Sequence, residues 1–307
     1  MKKLIYILIV TVSTSLFLSG CLKDDNLEEL KKQEQLKLQQ YIQVHKYTET
    51  PKDDGLYVII SDSGKGNTAI AGDFALVNYS MYLIDNTLLE TNDAALAAKN
   101  NLYPVSTVPG PIMLQVGNTF IRGFSEGLMF LKDSSKAKLI VPSNLALGSY
   151  YSSLIPSYST LVYNVELVQI VKDPIARDRA NINRWVDSLQ MQVADTLEDG
   201  VYLKIDSAGT GNLATSSNTI YAEYKLWLVD NRTITSKYTA INFKPNDDSM
   251  IPGFNLALSK LQKGAYARII IPYYEAYGAG GRNNDYNQKA IPIFTSLVYD
   301  IHVTNIQ

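Results

Sequence analysis

Apolar and polar residues alternate along two stretches of the chain that match position for position. Ala75, Val77, Tyr79, Met81 and Leu83 form one face of the first stretch. Ile220, Ala222, Tyr224, Leu226 and Leu228 form one face of the second, each 145 residues further on. Successive side chains of a strand point to opposite faces, so this period of two predicts a strand with one buried face in each copy. Two more pairs repeat the behaviour. Ala137, Leu139 and Val141 answer Ala267, Ile269 and Ile271, while Leu161, Tyr163, Val165 and Leu167 answer Leu297, Tyr299, Ile301 and Val303. The parity of the last strand turns His302 outward, opposite the core face and away from a catalytic role. Asp85-Asn86 and Asp230-Asn231 supply turn residues after the first strand of each copy.

A helical period precedes each β region. Residues 24–45 are charge-rich, with Leu27, Leu30, Leu38, Tyr41, Ile42 and His45 at helical spacing. A second helix is predicted from about Pro174 to Val193, because Ile182, Trp185, Val186, Leu189 and Val193 fall on one face. Asp54-Gly55 and Asp199-Gly200 stop the two segments. The stretch GLYVIISDSGKGN at 55–67 then returns as GVYLKIDSAGTGN at 200–212.

The centre of the repeat is the stretch at 121–148, which comes back at 251–278. Both read I-x-G-F, a short apolar helix, a polar turn, an alternating strand ending in Pro, and a small-residue turn closed by Gly. Gly123, Pro142 and Gly148 each return 130 residues later, as Gly253, Pro272 and Gly278. Two copies of one supersecondary unit in a single chain mark a duplication. The copies differ in two loops. Tyr79 to Gly123 is 44 positions and Tyr224 to Gly253 is 29, so the first copy carries 15 extra residues, around 92–111. The second has the longer loop after its closing glycine, at 279–289. Surface loops tolerate such insertions and often tune recognition.

Composition narrows the chemistry. The chain has 307 residues, 46% apolar and 19% charged, which suits one or two ordinary domains. A net charge of −2 argues against a nucleic-acid partner, which favours a basic stripe. Two histidines and one cysteine would starve a structural zinc site and allow no disulfide within the chain. The cysteine is explained by its position. Lys2 and Lys3 precede an apolar run at 4–18, and Leu18-Ser19-Gly20-Cys21 follows. That tetrad resembles the lipobox of bacterial lipoproteins. The resemblance implies a signal peptide at 1–20, lipidation of Cys21, and a lipid anchor in the cell envelope, at the outer membrane. An ordinary transmembrane anchor or a buried Cys is the alternative. Lys23-Asp24-Asp25 resembles a surface-export tag, and reads equally well as a solvated tether.

The remaining motifs carry a second resemblance. They are V-G-x-x-F-I-R-G-F-x-E-G-L at 116–128 and I-P-x-x-S-T-L-V-Y-N-V-E-L at 155–167. In the second copy they are M-I-P-G-F at 250–254, Y-E-A-Y-G-A-G-G at 274–281 and I-P-I-F-T-S-L-V-Y-D-I at 291–301. Each repeat resembles an FKBP-type peptidyl-prolyl isomerase domain. The resemblance implies an α+β fold of two such domains, at 55–171 and 200–307, each an antiparallel sheet curled over a short helix. A lipidated tether and helix at 21–54 precede the first domain, and a linker helix at 172–199 precedes the second. The alternating strands fit a sheet covered on one face.

The implied chemistry is rotation about X–Pro bonds of Pro-containing polypeptides, with no metal or cofactor. The barrier is about 18–20 kcal/mol because the C–N bond has partial double character. A dry aromatic pocket that grips the pyrrolidine, with a donor to the flanking carbonyl, favours the twisted amide. A thousandfold gain needs only ~4 kcal/mol of differential binding.

Carried over residue by residue, the first pocket comprises Tyr79, Leu89, Glu90, Ile112, Phe120, Ile121, Phe124, Leu147, Ile155 and Tyr163. The second comprises Tyr224, Ile234, Thr235, Ile241, Met250, Ile251, Phe254, Tyr277, Ile291 and Tyr299. The resemblance gives the backbone N–H of Ile121 or Ile251 to the substrate carbonyl, and a second hydrogen bond to the hydroxyl of Tyr277. The departures matter. The family's floor tryptophan is Phe124 or Phe254 here, its tyrosine is Leu147 in the first copy, and its aspartate is Glu90 or Thr235. Without the resemblance, a Tyr or Phe on an inward strand face is more often core than ligand-binding. A non-catalytic chaperone or adaptor in the envelope is the alternative function, and a glycan-binding lipoprotein ranks behind it.

Overall fold

The computed structural model describes residues 21–307 except 103–107, 109, 246, 247, 249 and 284–288. The expected signal peptide at 1–20 and the middle of the 279–289 loop lie outside the described residues. The described chain forms two compact units. One holds the residues up to Thr68, Tyr79–Leu89 and Thr119–Glu166. The other holds Ala69–Asn78, Glu90–Asn118 and Leu167–Gln307. Among the described residues no helix is long and apolar enough to cross a membrane, and no group of three His, Cys, Asp or Glu could hold a metal.

The first repeat runs α1 (Cys21–His45), β1 (Tyr57–Asp62), β2 (Lys65–Thr68), β3 (Phe74–Leu83), β4 (Leu88–Thr91), α2 (Ala94–Lys99), β5 (Ile112–Gln115), α3 (Arg122–Leu128), β6 (Lys132–Asp133), β7 (Ser135–Val141) and β8 (Leu161–Val171). Its sheet has the order β1-β7-β8-β3-β4, with β5 also on β3. The second repeat runs α4 (Pro174–Ser188), β9 (Tyr202–Ser207), β10 (Ile220–Leu228), β11 (Thr233–Phe243), α5 (Pro252–Leu258), β12 (Tyr266–Ile271), β13 (Arg282–Asn283), β14 (Lys289–Ile291) and β15 (Leu297–Ile306). Its sheet is antiparallel throughout, in the order β11-β10-β15-β12-β9. Matching strands occupy matching places, which is the α+β architecture twice over.

The alternation predicted the inward face correctly. Val77, Leu139, Val141, Leu161 and Leu167 are buried in the first repeat, and Ile220, Leu228, Ile269, Ile271, Leu297 and Val303 in the second. His302 lies on the opposite face, stacked 3.9 Å from Tyr266 and 3.2 Å from the Glu223 carboxylate.

Two expectations need correction. The sheets are covered on both faces, not one. Tyr41 of α1 packs with Ile140 and Val162, joined by Tyr57, Ile59 and Tyr82. Ile182, Trp185 and Leu189 likewise pack with Ile270, Val298, Tyr202 and Trp227. Each preceding helix therefore shields the apolar residues that the alternation had left outward, and burial drives Tyr41's phenol up to about 12. The second helix also ends at Ser188, short of Val193. Gln190 turns the chain at φ 52°, Met191 enters the cluster, and Val193 is left 92% exposed.

A carboxylate latches each helix to its repeat. Glu34 of α1 accepts hydrogen bonds from Ser143 N–H at 2.7 Å, Ser143 Oγ at 2.6 Å and Thr160 Oγ1 at 2.8 Å. Asp178 of α4 accepts from Ser296 N–H at 2.9 Å and Ser296 Oγ at 2.5 Å, and that Oγ accepts from Tyr273 N–H at 2.8 Å. Charge-assisted bonds of this kind tie the helix to the start of the last strand.

Burial pushes the Asp178 carboxyl above the usual carboxylate range, against the Ser296 hydrogen bonds and the Arg177 charge and with Asp230 adding to the rise. Between the ordinary and the raised pKa the folded chain holds a proton that the unfolded chain has released. This group's contribution to stability therefore falls as pH rises through that window, by at most ~1.4 kcal/mol per pH unit. Denaturation of wild type and Asp178→Asn across that range should show the wild type losing stability relative to the variant as pH rises. Parallel pH curves would contradict this assignment.

Candidate functional site

In each repeat the short helix carries the floor of an aromatic site. Ile251 is the residue before α5, extended at φ −63° and ψ 141°, and Pro252 opens the helix where its missing N–H costs nothing. Gly253 lets the first turn press onto β12. A Cβ there would strike Ile271 Cγ2 and come within 3.1 Å of Glu275 Cβ and 3.2 Å of Val201 Cγ2. Phe254 is thereby driven inward and is 1% exposed. Its ring lies 5.0 Å from Tyr299, 5.5 Å from Phe243 and 6.5 Å from Tyr224, with Tyr224 and Tyr299 5.5 Å apart. Ile251 and Ile291 are buried in the same cluster. Ile234, Ile241, Met250 and Tyr277 pack against it, half-buried.

Two hydroxyls of this site, those of Tyr299 and Tyr224, are held neutral. Burial pushes Tyr299 well above the usual phenol range, Tyr277 and Tyr224 add to the rise, and Arg282 opposes it. Tyr224 rises for the same first reason, with Arg282 again opposing. Tyr277 follows the single 3-10 turn Tyr273–Glu275. Its position is set by Gly278, at φ 65°, whose N–H donates to Tyr273 O at 2.7 Å. Arg282 Nη1 donates to the Tyr277 hydroxyl oxygen at 2.9 Å. Thr235 does not aim its oxygen at this cluster, because Oγ1 accepts from Leu226 N–H at 2.8 Å where the β10–β11 register shifts.

The first repeat builds the same floor with Phe124. Its ring lies 4.7 Å from Tyr163 and 5.4 Å from Tyr79. Ile121 precedes α3 in extended conformation, as Ile251 precedes α5. Among the described residues neither the Ile121 nor the Ile251 N–H has a hydrogen-bond acceptor within the chain, so both donors remain available. Ile155 is half-buried in a tight loop, its N–H on Ser152 Oγ at 3.0 Å and its carbonyl accepting from Ser152 N–H at 2.9 Å. Leu89 and Leu147 are half-buried. Phe120 is 90% exposed, so it belongs to the rim and not to the floor. Glu90, on β4, and Ile112, on β5, are half-buried and fall in the other compact unit. A separate groove of about 730 Å³ runs between α1 and residues 83–86 and 156–160, and none of the aromatic floor residues lines it.

The sequence reading missed two residues. Phe243 was visible in principle, since it shares the face of Ile241 at period two. Arg282 sits in an aperiodic loop, and no pattern marks it.

Comparison with known proteins points the same way. A family model described as FKBP-type peptidyl-prolyl cis-trans isomerase matches residues 65–168 and again 211–304. Peptidyl-prolyl cis-trans isomerase FKBP10 from Bos taurus is 24% identical over 234 residues, covering 75% of this chain and 34% of that protein. FkpA from Escherichia coli K12, an FKBP-type peptidyl-prolyl cis-trans isomerase, is 28% identical over 115 residues, 36% of this chain and 40% of its own length. The chain thus spans well under half of these two relatives. An FK506-binding protein from Neisseria meningitidis serogroup B is 30% identical over 117 residues, 38% of this chain and 96% of its own. Two matched spans, laid over two sheets of one strand order and two phenylalanine floors, show that the chain belongs to the FKBP-type peptidyl-prolyl cis-trans isomerase family.

Proposed function

We propose that this protein is a peptidyl-prolyl cis-trans isomerase and that its second repeat does the chemistry. The observation that carries the reading is one arrangement. An Ile251 N–H without an acceptor among the described residues and the Tyr277 hydroxyl stand at a floor of Phe254, Tyr224 and Tyr299. Such a floor takes the proline ring by burial, and the donors favour the carbonyl of the twisted amide over that of the planar one. In this reading Tyr224, Ile251, Phe254, Tyr277, Ile291 and Tyr299 form the active pocket. A neutral Tyr224 and Tyr299 suit the task, since the reaction moves no proton. With the full chain and a single-proline peptide, Tyr277→Phe is expected to lower kcat/KM about tenfold, the worth of one hydrogen bond in a dry site. A wild-type chain that failed to accelerate isomerisation would refute the reading.

The first repeat reads better as a polypeptide-holding site, with Tyr79, Phe120, Ile121, Phe124, Ile155 and Tyr163 as its binding residues. Leu147 offers no hydroxyl there. Phe120, Tyr150, Tyr151 and Leu154 are all exposed, a rim that suits unfolded chains. The lipobox-like tetrad supports anchoring through Cys21 in the cell envelope, with exported proteins as clients. Loss of the chain from the membrane fraction on Cys21→Ala would bear this out, and unchanged fractionation would refute it.

A further inference from the structure

We infer that Arg282 makes the second pocket selective for clients carrying an acidic side chain within two residues of the proline. The inference rests on the proposed use of that pocket. The position of Arg282 is built into the fold. It opens β13 opposite Ile291 of β14, itself a buried pocket residue. Gly281 precedes it at φ 65°, and a Cβ there would strike the Ile291 carbonyl oxygen, so glycine is required for the ribbon to close. The guanidinium carbon then lies 5.3 Å from the Tyr277 ring centroid, within cation–π range.

Three observations turn this cation toward a client. A guanidinium has five N–H donors, and the hydrogen bond it makes to a described residue is the one from Nη1 to the Tyr277 hydroxyl. Among the described residues no carboxylate pairs with Arg282, whereas Arg122, Arg232 and Arg268 each hold one. The position of the family's aspartate also supplies no acid, since Thr235 stands there and its oxygen is committed to Leu226 N–H. An exposed guanidinium fork beside a dry aromatic floor, with no counter-charge among the described residues, is built to take a carboxylate in two parallel hydrogen bonds. The first repeat has no equivalent, because its shorter loop at 149–154 reads SYYSSL, without charge. Selectivity of this kind therefore belongs to the second pocket alone.

The test uses the full chain and single-proline peptides that differ only in a Glu, Gln or Lys flanking the proline on either side. Binding by fluorescence anisotropy and isomerisation kcat/KM are both read. In the wild type the better-placed Glu peptide should be favoured over its Lys counterpart about five- to tenfold at low salt, and the ratio should shrink toward one near 1 M salt. Arg282→Gln should bring the ratio within twofold, and Arg282→Glu should invert it. Equal use of Glu and Lys peptides by the wild type, or a preference that persists in Arg282→Gln, would overturn the inference. Selective binding without isomerisation would uphold it and defeat the isomerase reading. Isomerisation without selectivity would do the reverse.

Discussion

Phe254→Ala should lower the unfolding free energy of the second repeat by about 3–5 kcal/mol, the largest single-residue effect expected in this protein. The ring is among the largest fully buried side chains, and Tyr224, Phe243 and Tyr299 surround it. Truncation removes its buried area and leaves a cavity that three aromatic rings on separate strands cannot all move to fill. Chemical denaturation should show the transition at markedly lower denaturant, and isomerisation should be lost with it. Phe254→Leu separates the two roles, because it retains most of the volume and little of the flat surface. Its stability should fall less than that of the alanine variant while turnover drops. If Phe254→Ala cost under about 1 kcal/mol, the ring would not be the packed floor described here.

Gly253→Ala is the second large effect, expected at about 1–3 kcal/mol by overpacking. The added methyl has nowhere to go, since Ile271 on β12, Glu275 and Val201 already close around that Cα. Relief requires α5 to lift from β12, which would carry the Ile251 N–H away from the pocket. Stability and turnover should therefore fall together. Gly123→Ala should cost stability alike in the first repeat, where a Cβ would strike Val141 Cγ1 and come within 3.0 Å of Leu145 Cβ, while turnover by the second repeat stays unchanged. Thermal melts and isomerisation rates on both variants check this. A glycine-to-alanine change that left both unaltered would show that the helix start has slack.

Much of the candidate site was legible because the chain states it twice. The I-x-G-F start placed Phe124 and Phe254 inward, and the strand parity placed Tyr79, Tyr163, Tyr224 and Tyr299 on the same faces as those rings. Phe120 was harder to read. It precedes Ile121 in a segment without period, and its 90% exposure follows from loop geometry. Phe243 was missed although it follows Ile241 at the strand period, because β11 is largely exposed until its last residue and so lacks a continuous alternation.

The duplication, the strands and their inward faces, the start of each short helix of the I-x-G-F motif and the family can be read from the string of residues alone. Those features depend on local periodicity and on motifs short enough to survive as strings. The folded chain was needed to reveal that both faces of each sheet are covered, that the second helix stops at Ser188, and that Arg282 donates to Tyr277. An outward apolar residue such as Ile140 or Ile270 reads as a break in alternation until a helix more than eighty residues away in the chain is seen to lie on it. Arg282 is only five residues from Tyr277, yet a left-handed glycine and a closed ribbon set their meeting, and neither has a period to read. Burial by a partner distant in sequence, and contact across an irregular loop, are properties of the folded chain.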